Sequence, residues 1–169
     1  MYLITDVDYR EDGAYAAGIV FSNPEDDEPI ESYLMHITDV AEYVPGEFYK
    51  RELPCLKLLY GRASMDYNIH TVIVDGHTWL SDETHKGLGA YLYETLSNLY
   101  GAFSVIGIAK NRFHNGCAIE VLRGESKKPL YISSAGIGSE TAAQFVKNMN
   151  GEYRLPTMVK KVDALCRGR

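Results

Sequence analysis

The sequence predicts a mixed α/β domain whose sheet starts antiparallel and continues parallel. Three observations carry this. Residues 1–37 hold three β-rich runs joined by short turns. The middle of the chain alternates helical periodicity with short apolar runs. Residues 139–166 then return to helical spacing.

Residues 2–9 (YLITDVDY) and 13–22 (GAYAAGIVFS) are rich in β-branched and aromatic residues and flank the turn signal REDG, which predicts a hairpin. The acidic loop NPEDDEP leads to residues 30–37 (IESYLMHI), a third strand that completes a meander. From Glu47 to about Tyr60, Phe48, Leu53, Leu56 and Leu59 recur at helical spacing, with Gly61 as the stop signal and Pro54 marking a kink near the start. Residues 70–76 (HTVIVDG) form a short apolar run ending in Asp-Gly, the pattern of a buried strand meeting a loop. Residues 83–99 predict a helix with Leu88, Leu92, Leu96 and Leu99 on one stripe. Residues 103–110 are a further buried strand, 117–122 and 129–134 a hairpin, and 139–149 and 156–166 two closing helices. This strand and helix order is the one found in ribonuclease H-like domains.

A chain of 169 residues is expected to form a single domain over 1–169 with a sizeable core. No apolar run is long enough to span a bilayer and the N-terminus lacks a signal pattern. Cys55, Cys117 and Cys166 are far apart and odd in number, so neither a disulfide framework nor a metal-spaced cluster is expected. A reducing, cytoplasmic setting and a monomer follow as expectations, with no membrane partner. The net charge of −6 is unevenly spread: residues 1–48 hold one basic and twelve acidic residues, against sixteen and eleven in the remainder. One side of the molecule can therefore carry a basic surface, which permits nucleic acid as a partner.

Three acids sit where an apolar pattern does not want them. Asp6 lies in the first strand between Ile4 and Val7, Glu52 in the first turns of a helix, and Asp75 at the close of an apolar strand. If the first and fourth strands are neighbours, Asp6 and Asp75 face each other near the sheet centre. Like charges there repel and lose hydration unless a cation neutralises them. Hard oxygen donors in that number suit Mg²⁺ or Mn²⁺, and such ions activate water in phosphodiester hydrolysis. The alternatives are a solvent-facing Asp6 sharing its strand face with Asp8, a plain turn at Asp75-Gly76, and a surface pair of Glu52 with Arg51. His77 and His85 do not match a zinc spacing.

Several segments in order resemble the endonuclease V family, repair nucleases acting on deaminated adenine (inosine) in nucleic acid. They are DVDY (6–9), YVPGEFYKRELP (43–54), VIVDGH (72–77) and IGIAKNRF (106–113), with RLPTMVKKVDAL (154–165) a weaker match to the closing helix. The resemblance covers the chain from end to end. It implies a Mg²⁺-dependent (or Mn²⁺-dependent) endonuclease on a ribonuclease H-like fold, acting on DNA or RNA. Carried over by position, it implies that Asp6, Asp75 and Glu52 hold the metal and that Lys110 stabilises phosphate charge. Tyr43, Val44, Pro45 and Gly46 would form a wedge that separates strands beside an extruded base, and Gly76, Leu88, Gly89 and Arg112 would contact the nucleic acid. The sequence departs from the family in four places, one being that the histidine of the family's A-S-H segment falls near Tyr93. Residues 132–139 (ISSAGIGS) lack the family's active-site histidine, leaving His77 and His114 as candidate replacements. A histidine-proline-arginine run after the family's DGH is replaced by TWLSDETHKG, although Leu88-Gly89 survives. The family's leading helical segment is expected to be missing. A catalytically diverged module that only binds deaminated or distorted nucleic acid is the alternative from another class. Sugar hydrolysis by a carboxylate pair is a third reading.

Overall fold

The structure, a computed structural model, describes residues 1–169. The meander forms as expected from β1 (Tyr2–Arg10), β2 (Gly13–Phe21) and β3 (Glu31–Ile37). Helix α1 (Tyr49–Asp66) then carries the chain back to β4 (Thr71–Asp75), which lies parallel to β1. Helix α2 (Leu88–Tyr100) leads to β5 (Ser104–Ala109), parallel to β4. The hairpin β6 (Ile119–Val121) and β7 (Leu130–Ala135) follows, and α3 (Ser139–Asn148) and α4 (Thr157–Arg167) close the chain. The seven strands run in the order β3-β2-β1-β4-β5-β7-β6. The parallel centre is thus flanked by antiparallel pairs on both sides, because β7 returns antiparallel to β5.

Both faces of the sheet are covered, which explains why β4 and β5 read as near-continuous apolar runs rather than as alternating ones. On one face Ile4, Ile73, Ile106 and Ile132 pack against Val146, Met158 and Val162 of α3 and α4. On the other, Leu3, Val72, Val74 and Val105 meet Leu56 and Leu59 of α1 and Leu92 and Leu96 of α2. Burying each such side chain contributes about 1.5–3 kcal/mol. No helix is long and apolar enough to cross a membrane.

Two helix boundaries differ from the sequence expectation. Helix α1 continues through Gly61 to Asp66, because Tyr60 and Ala63 at and beyond the expected stop are buried against the sheet and extend the apolar stripe. Helix α2 begins at Leu88 rather than 83. The preceding residues are held in a turn by Asp82, whose carboxylate accepts from the Thr84 N–H (2.8 Å) and the His85 N–H (3.2 Å). Leu88, Leu92 and Leu96 are buried as expected, but Leu99 at the last turn is 61% exposed.

Gly61 lies inside α1 and a Cβ built there meets nothing within 4 Å. Glycine in a helix interior costs about 0.5–1 kcal/mol relative to alanine. Gly61→Ala is therefore expected to raise the unfolding free energy by about that amount in urea titration; an unchanged or lowered midpoint would contradict the helical assignment at this position.

Candidate active site

The site forms where β1 and β4 separate. Their last paired residues are Thr5 and Val74, after which β1 goes on pairing with β2 out to Arg10 while β4 stops at Asp75. A cleft at the carboxyl ends of parallel strands is where open α/β sheets hold ligands. Side chains two apart share a strand face. Asp6 therefore follows Ile4, and Asp75 follows Ile73, onto the face covered by α4. Asp6 is only 8% exposed, so the solvent-facing alternative is excluded, and Asp8 on the same strand face is held in ion pairs with Arg10 and Arg167.

Glu52 reaches the site from the opposite layer. It sits in the first turn of α1, is 8% exposed, and its carboxylate makes no hydrogen bond and no ion pair within the protein. Arg51, its sequence neighbour, instead stacks its guanidinium 3.8 Å over the Tyr9 ring, so the surface-pair alternative fails as well.

Burial and like charge leave a clear electrostatic signature. Burial, then the charges of Asp6 and Asp75, push the Glu52 carboxyl up to about 8. Burial, then Asp75, raise Asp6 to about 6, although the Val7 N–H, Cys166 and Lys110 act the other way. Lys110, just past β5, places its Nζ 2.8 Å from Asp75 Oδ2. Burial works against its ammonium, but Asp75, Asp6 and Asp163 outweigh that and hold it above its ordinary value. The Cys166 thiol, raised to about 12 by burial and by Asp6, stays protonated and acts as a donor.

Asp6, Asp75 and Lys110 line one narrow cleft with Val159, Val162 and Asp163 of α4. Its free volume is about 10 Å³, on the order of a single water-sized sphere, which suits an ion or a water and nothing larger. Asp163 is not among the residues expected from the sequence. A signal for it exists, however: Val159, Val162, Asp163 and Cys166 follow the i, i+3, i+4, i+7 spacing of one helix face, so an acid interrupts an otherwise apolar stripe. Arg167 and then Lys110 keep Asp163 below the usual carboxylate range. Neither histidine named as a replacement lines this cleft: His77 Nε2 is engaged with the Asn111 carbonyl at 3.0 Å, and His114 is exposed.

A second cavity of about 530 Å³ has in its wall Gly76, the residue that follows Asp75 of the first. Tyr43, Gly46, Phe48, Tyr49, His77 and Phe113 are among its lining residues, with Leu88 also in the wall. The volume is in the range of small-molecule sites, roughly 300–1,000 Å³. Tyr43, Val44 and Phe48 are 59%, 43% and 41% exposed, an unusual concentration of large apolar side chains on a turn. Tyr49 supports the turn by stacking on Tyr91 at 3.8 Å. Gly76 has φ of +138°, a conformation that disfavours any side chain at this point of the cavity wall. Val44 and Pro45 are exposed at the turn tip and do not line the cavity. Gly89 lies behind it, where a Cβ would come within 2.4 Å of Thr78 Oγ1. Arg112 is exposed and 3.6 Å from Glu120, away from both cavities.

No three carboxylate, imidazole or thiol groups in the structure close on one point tightly enough to hold a metal as they stand. The donor set nonetheless fits a hard divalent cation. It offers carboxylate oxygens, those of Asp6 and Glu52 opposed in their ionisation by burial and then by neighbouring negative charge, and the Lys110 ammonium already rests against Asp75.

The raised carboxyls give the metal-free protein a defined pH dependence. A carboxyl whose folded pKa lies above its unfolded value contributes stability that is fully present below the unfolded value and is lost as pH rises through the folded one. The Glu52 contribution is therefore expected to be lost progressively from about pH 4.5 to about pH 8.5, and between about pH 6.5 and 8.5 the last of it goes and the melting temperature still falls. The Met1 ammonium, lowered by burial, acts in the opposite direction in this window. Comparison with Glu52→Gln isolates the carboxyl: the variant's melting temperature should stay flatter across the window in chelator, and an equal slope in both proteins would contradict the burial of an ionisable Glu52.

Comparison with known proteins agrees with this architecture. The family model described as Endonuclease V matches residues 3–164. Endonuclease V of Nostoc punctiforme is 30% identical over 183 residues, covering 95% of this chain and 79% of the relative. Human ENDOV superimposes with a TM-score of 0.78 at 21% identity, covering 99% of this chain and 82% of that one. Ciona intestinalis endonuclease V (D234N), solved with a 23mer DNA containing an inosine followed by a ribo-adenosine, gives 0.77 at 18% identity over 99% and 83%. Marinitoga piezophila Argonaute with a guide RNA shares the fold at a TM-score of 0.58 and 11% identity, over 98% of this chain and 29% of its own length. The sheet order and these likenesses make the fold ribonuclease H-like. This chain belongs to the endonuclease V family and is a nuclease, a hydrolase of phosphodiester bonds.

Proposed function

We propose that this protein is a Mg²⁺-dependent endonuclease, with Mn²⁺ as a substitute, that cuts nucleic acid near a deaminated base and serves in its repair. Inosine is the altered base favoured by the family, and residues 1–169 act as one catalytic domain. Nucleases of this family and fold generally use divalent metal ions. The observation that carries the reading is the burial of Asp6 and Glu52 beside Asp75 where two strands separate, next to a cavity walled by an exposed aromatic turn.

In this reading Asp6, Asp75 and Glu52 hold the metal; Asp163 lines the cleft with Asp6 and Asp75, and Glu52, outside that lining, approaches from the α1 side. A divalent ion bound there supplies charge neutralisation and a more acidic water. The chain's own residues do the remainder. Glu52, at the start of α1, orients the attacking water beside the ion. Lys110 moves its ammonium from Asp75 towards the phosphate oxygens and offsets their charge. Water attacks phosphorus and gives up a proton, the bond to the 3′ oxygen breaks, that oxygen takes a proton from solvent water, and the products are a 3′-hydroxyl and a 5′-phosphate. By resemblance to the family, the cut falls at the second phosphodiester 3′ to the altered base.

Tyr43, Val44, Pro45 and Gly46 form the wedge. An apolar turn tip compensates unstacked neighbours while the altered base turns into the second cavity. Gly76 and Leu88 face that base, and the side-chain-free Gly76 lets backbone approach it. Gly89 contributes by keeping the Thr78 loop close rather than by contact. Arg112, exposed beyond the cavities, meets a phosphate farther along the strand.

The test uses labelled DNA and RNA strands carrying inosine, with matched adenosine strands, in Mg²⁺ and in chelator. Cleavage of the inosine strands in Mg²⁺ alone is expected, with the DNA and RNA arms reporting the preferred strand. Asp6→Ala and Asp75→Ala are each expected to lose at least about 10²-fold in single-turnover rate while still retaining the strand in a filter-binding assay. Equal cutting of inosine and adenosine strands would overturn the base specificity. Full activity in chelator, or in either variant, would overturn the metal assignment.

A further inference from the structure

The last turn of α4 contributes a group to the site that the catalytic scheme does not use. Cys166 is 1% exposed and belongs to the core between α4 and the sheet. Its Sγ lies 3.5 Å from Asp6 Oδ2 and 3.3 Å from the Asp163 carbonyl oxygen. A thiol has one proton to give. An ionised carboxylate is the stronger acceptor, because hydrogen bonds to charged groups are roughly twice as strong as neutral ones. The other oxygen of Asp6, Oδ1, accepts from the Val7 N–H at 2.9 Å. The two oxygens of this carboxylate are thus each held by one donor, one from its own strand and one from a helix 160 residues away in sequence.

The helix turn that carries the thiol is fixed independently of it. Arg10 Nη2 donates to the Cys166 carbonyl at 2.7 Å, and Arg167 spans Asp163 Oδ1 at 2.8 Å and Asp8 Oδ1 at 3.5 Å. Arg10 and Arg167 meet at Asp8, so α4 is clasped to β1 on the outer side of the thiol. Removing the sulfur leaves that clasp in place. Groups that orient a metal-binding side chain without touching the metal commonly change its affinity by about 10–100-fold.

We propose that Cys166 is a positioning residue for Asp6: its thiol, delivered by the clasped end of α4, fixes the plane of the carboxylate that receives the divalent cation. The inference rests on the reading of Asp6 as a metal-binding residue given above. It puts a thiol next to a hard oxygen site without making sulfur a ligand. The C-terminal helix thereby joins the metal site's support.

The test is Mn²⁺ binding to the full chain without nucleic acid, measured by calorimetry for the parent, Asp6→Ala, Cys166→Ala, Cys166→Val and Cys166→Ser. Serine keeps a donor, valine keeps apolar volume without one, and alanine keeps neither. The expected result is a dissociation constant raised about 10-fold or more in the alanine and valine variants, and within about threefold of the parent in the serine variant. Circular dichroism and melting temperature confirm that each variant is folded. Parent-like affinity in the valine variant would overturn the inference, as would a loss in the serine variant equal to that in valine, which would mean packing alone. Failure of the underlying reading looks different: the parent would bind no Mn²⁺, or Asp6→Ala would bind it as well as the parent does.

Discussion

Like charge held out of water is the constraint around which this molecule is arranged. Asp6 and Glu52 are almost fully buried beside Asp75, and that burial, reinforced by the neighbouring charges, makes the Asp6 and Glu52 carboxyls resist ionising. A protein selected for stability alone has no use for such a group, since an unpaired buried carboxylate is costly. The surrounding structure supplies partial relief from Lys110 on Asp75 and from the Val7 N–H and Cys166 on Asp6, and supplies no hydrogen bond or ion pair for Glu52. In the proposed function, what remains uncompensated is the driving force for a cation.

The fold delivers these groups from three layers. Asp6 and Asp75 come from neighbouring parallel strands, each just past the last residues that pair the two strands, Thr5 and Val74. Glu52 comes from the start of α1 on one face, and Asp163 and Cys166 come from the end of α4 on the other. Because α1 and α4 each bury a full apolar stripe, the acids ride on elements that cannot shift without opening the core. The aromatic turn before α1 is built differently. It is short of buried contacts and exposes Tyr43, Val44 and Phe48, as expected of a segment that works by touching something else.

Much of this is legible in the sequence, for physical reasons. Strand pairing and the covered faces follow from apolar periodicity, and the three acids stand out because each breaks that periodicity. Asp163 breaks it too, yet it sits beside Lys160, Lys161 and Arg167 on a helix with an obvious solvent face, where one more charge attracts no notice. The C-terminus of α1 is misread because Gly61 resembles a cap, while the burial of Tyr60 and Ala63 that carries the helix past it depends on tertiary contacts. The start of α2 is misread because the turn around Asp82 uses side-chain hydrogen bonds that no periodicity reports. The choice between Asp6 facing the cleft and facing solvent depends on whether a helix covers that face. Only the packing of α4 decides it.

The most direct test of the account is whether cation binding and carboxyl ionisation are one event. With Glu52 set at about 8, its carboxyl is mostly protonated at neutral pH, and a divalent ion held by Glu52, as proposed, would displace that proton. Calorimetric titration with Mn²⁺ at pH 7 in two buffers of different ionisation enthalpy reads the displaced protons. Roughly one proton is expected to be released per chain, falling towards zero by about pH 9.5 and absent in Glu52→Gln. Heats that do not depend on the buffer would contradict it, because they would mean that the ion binds without meeting a buried, protonated carboxyl.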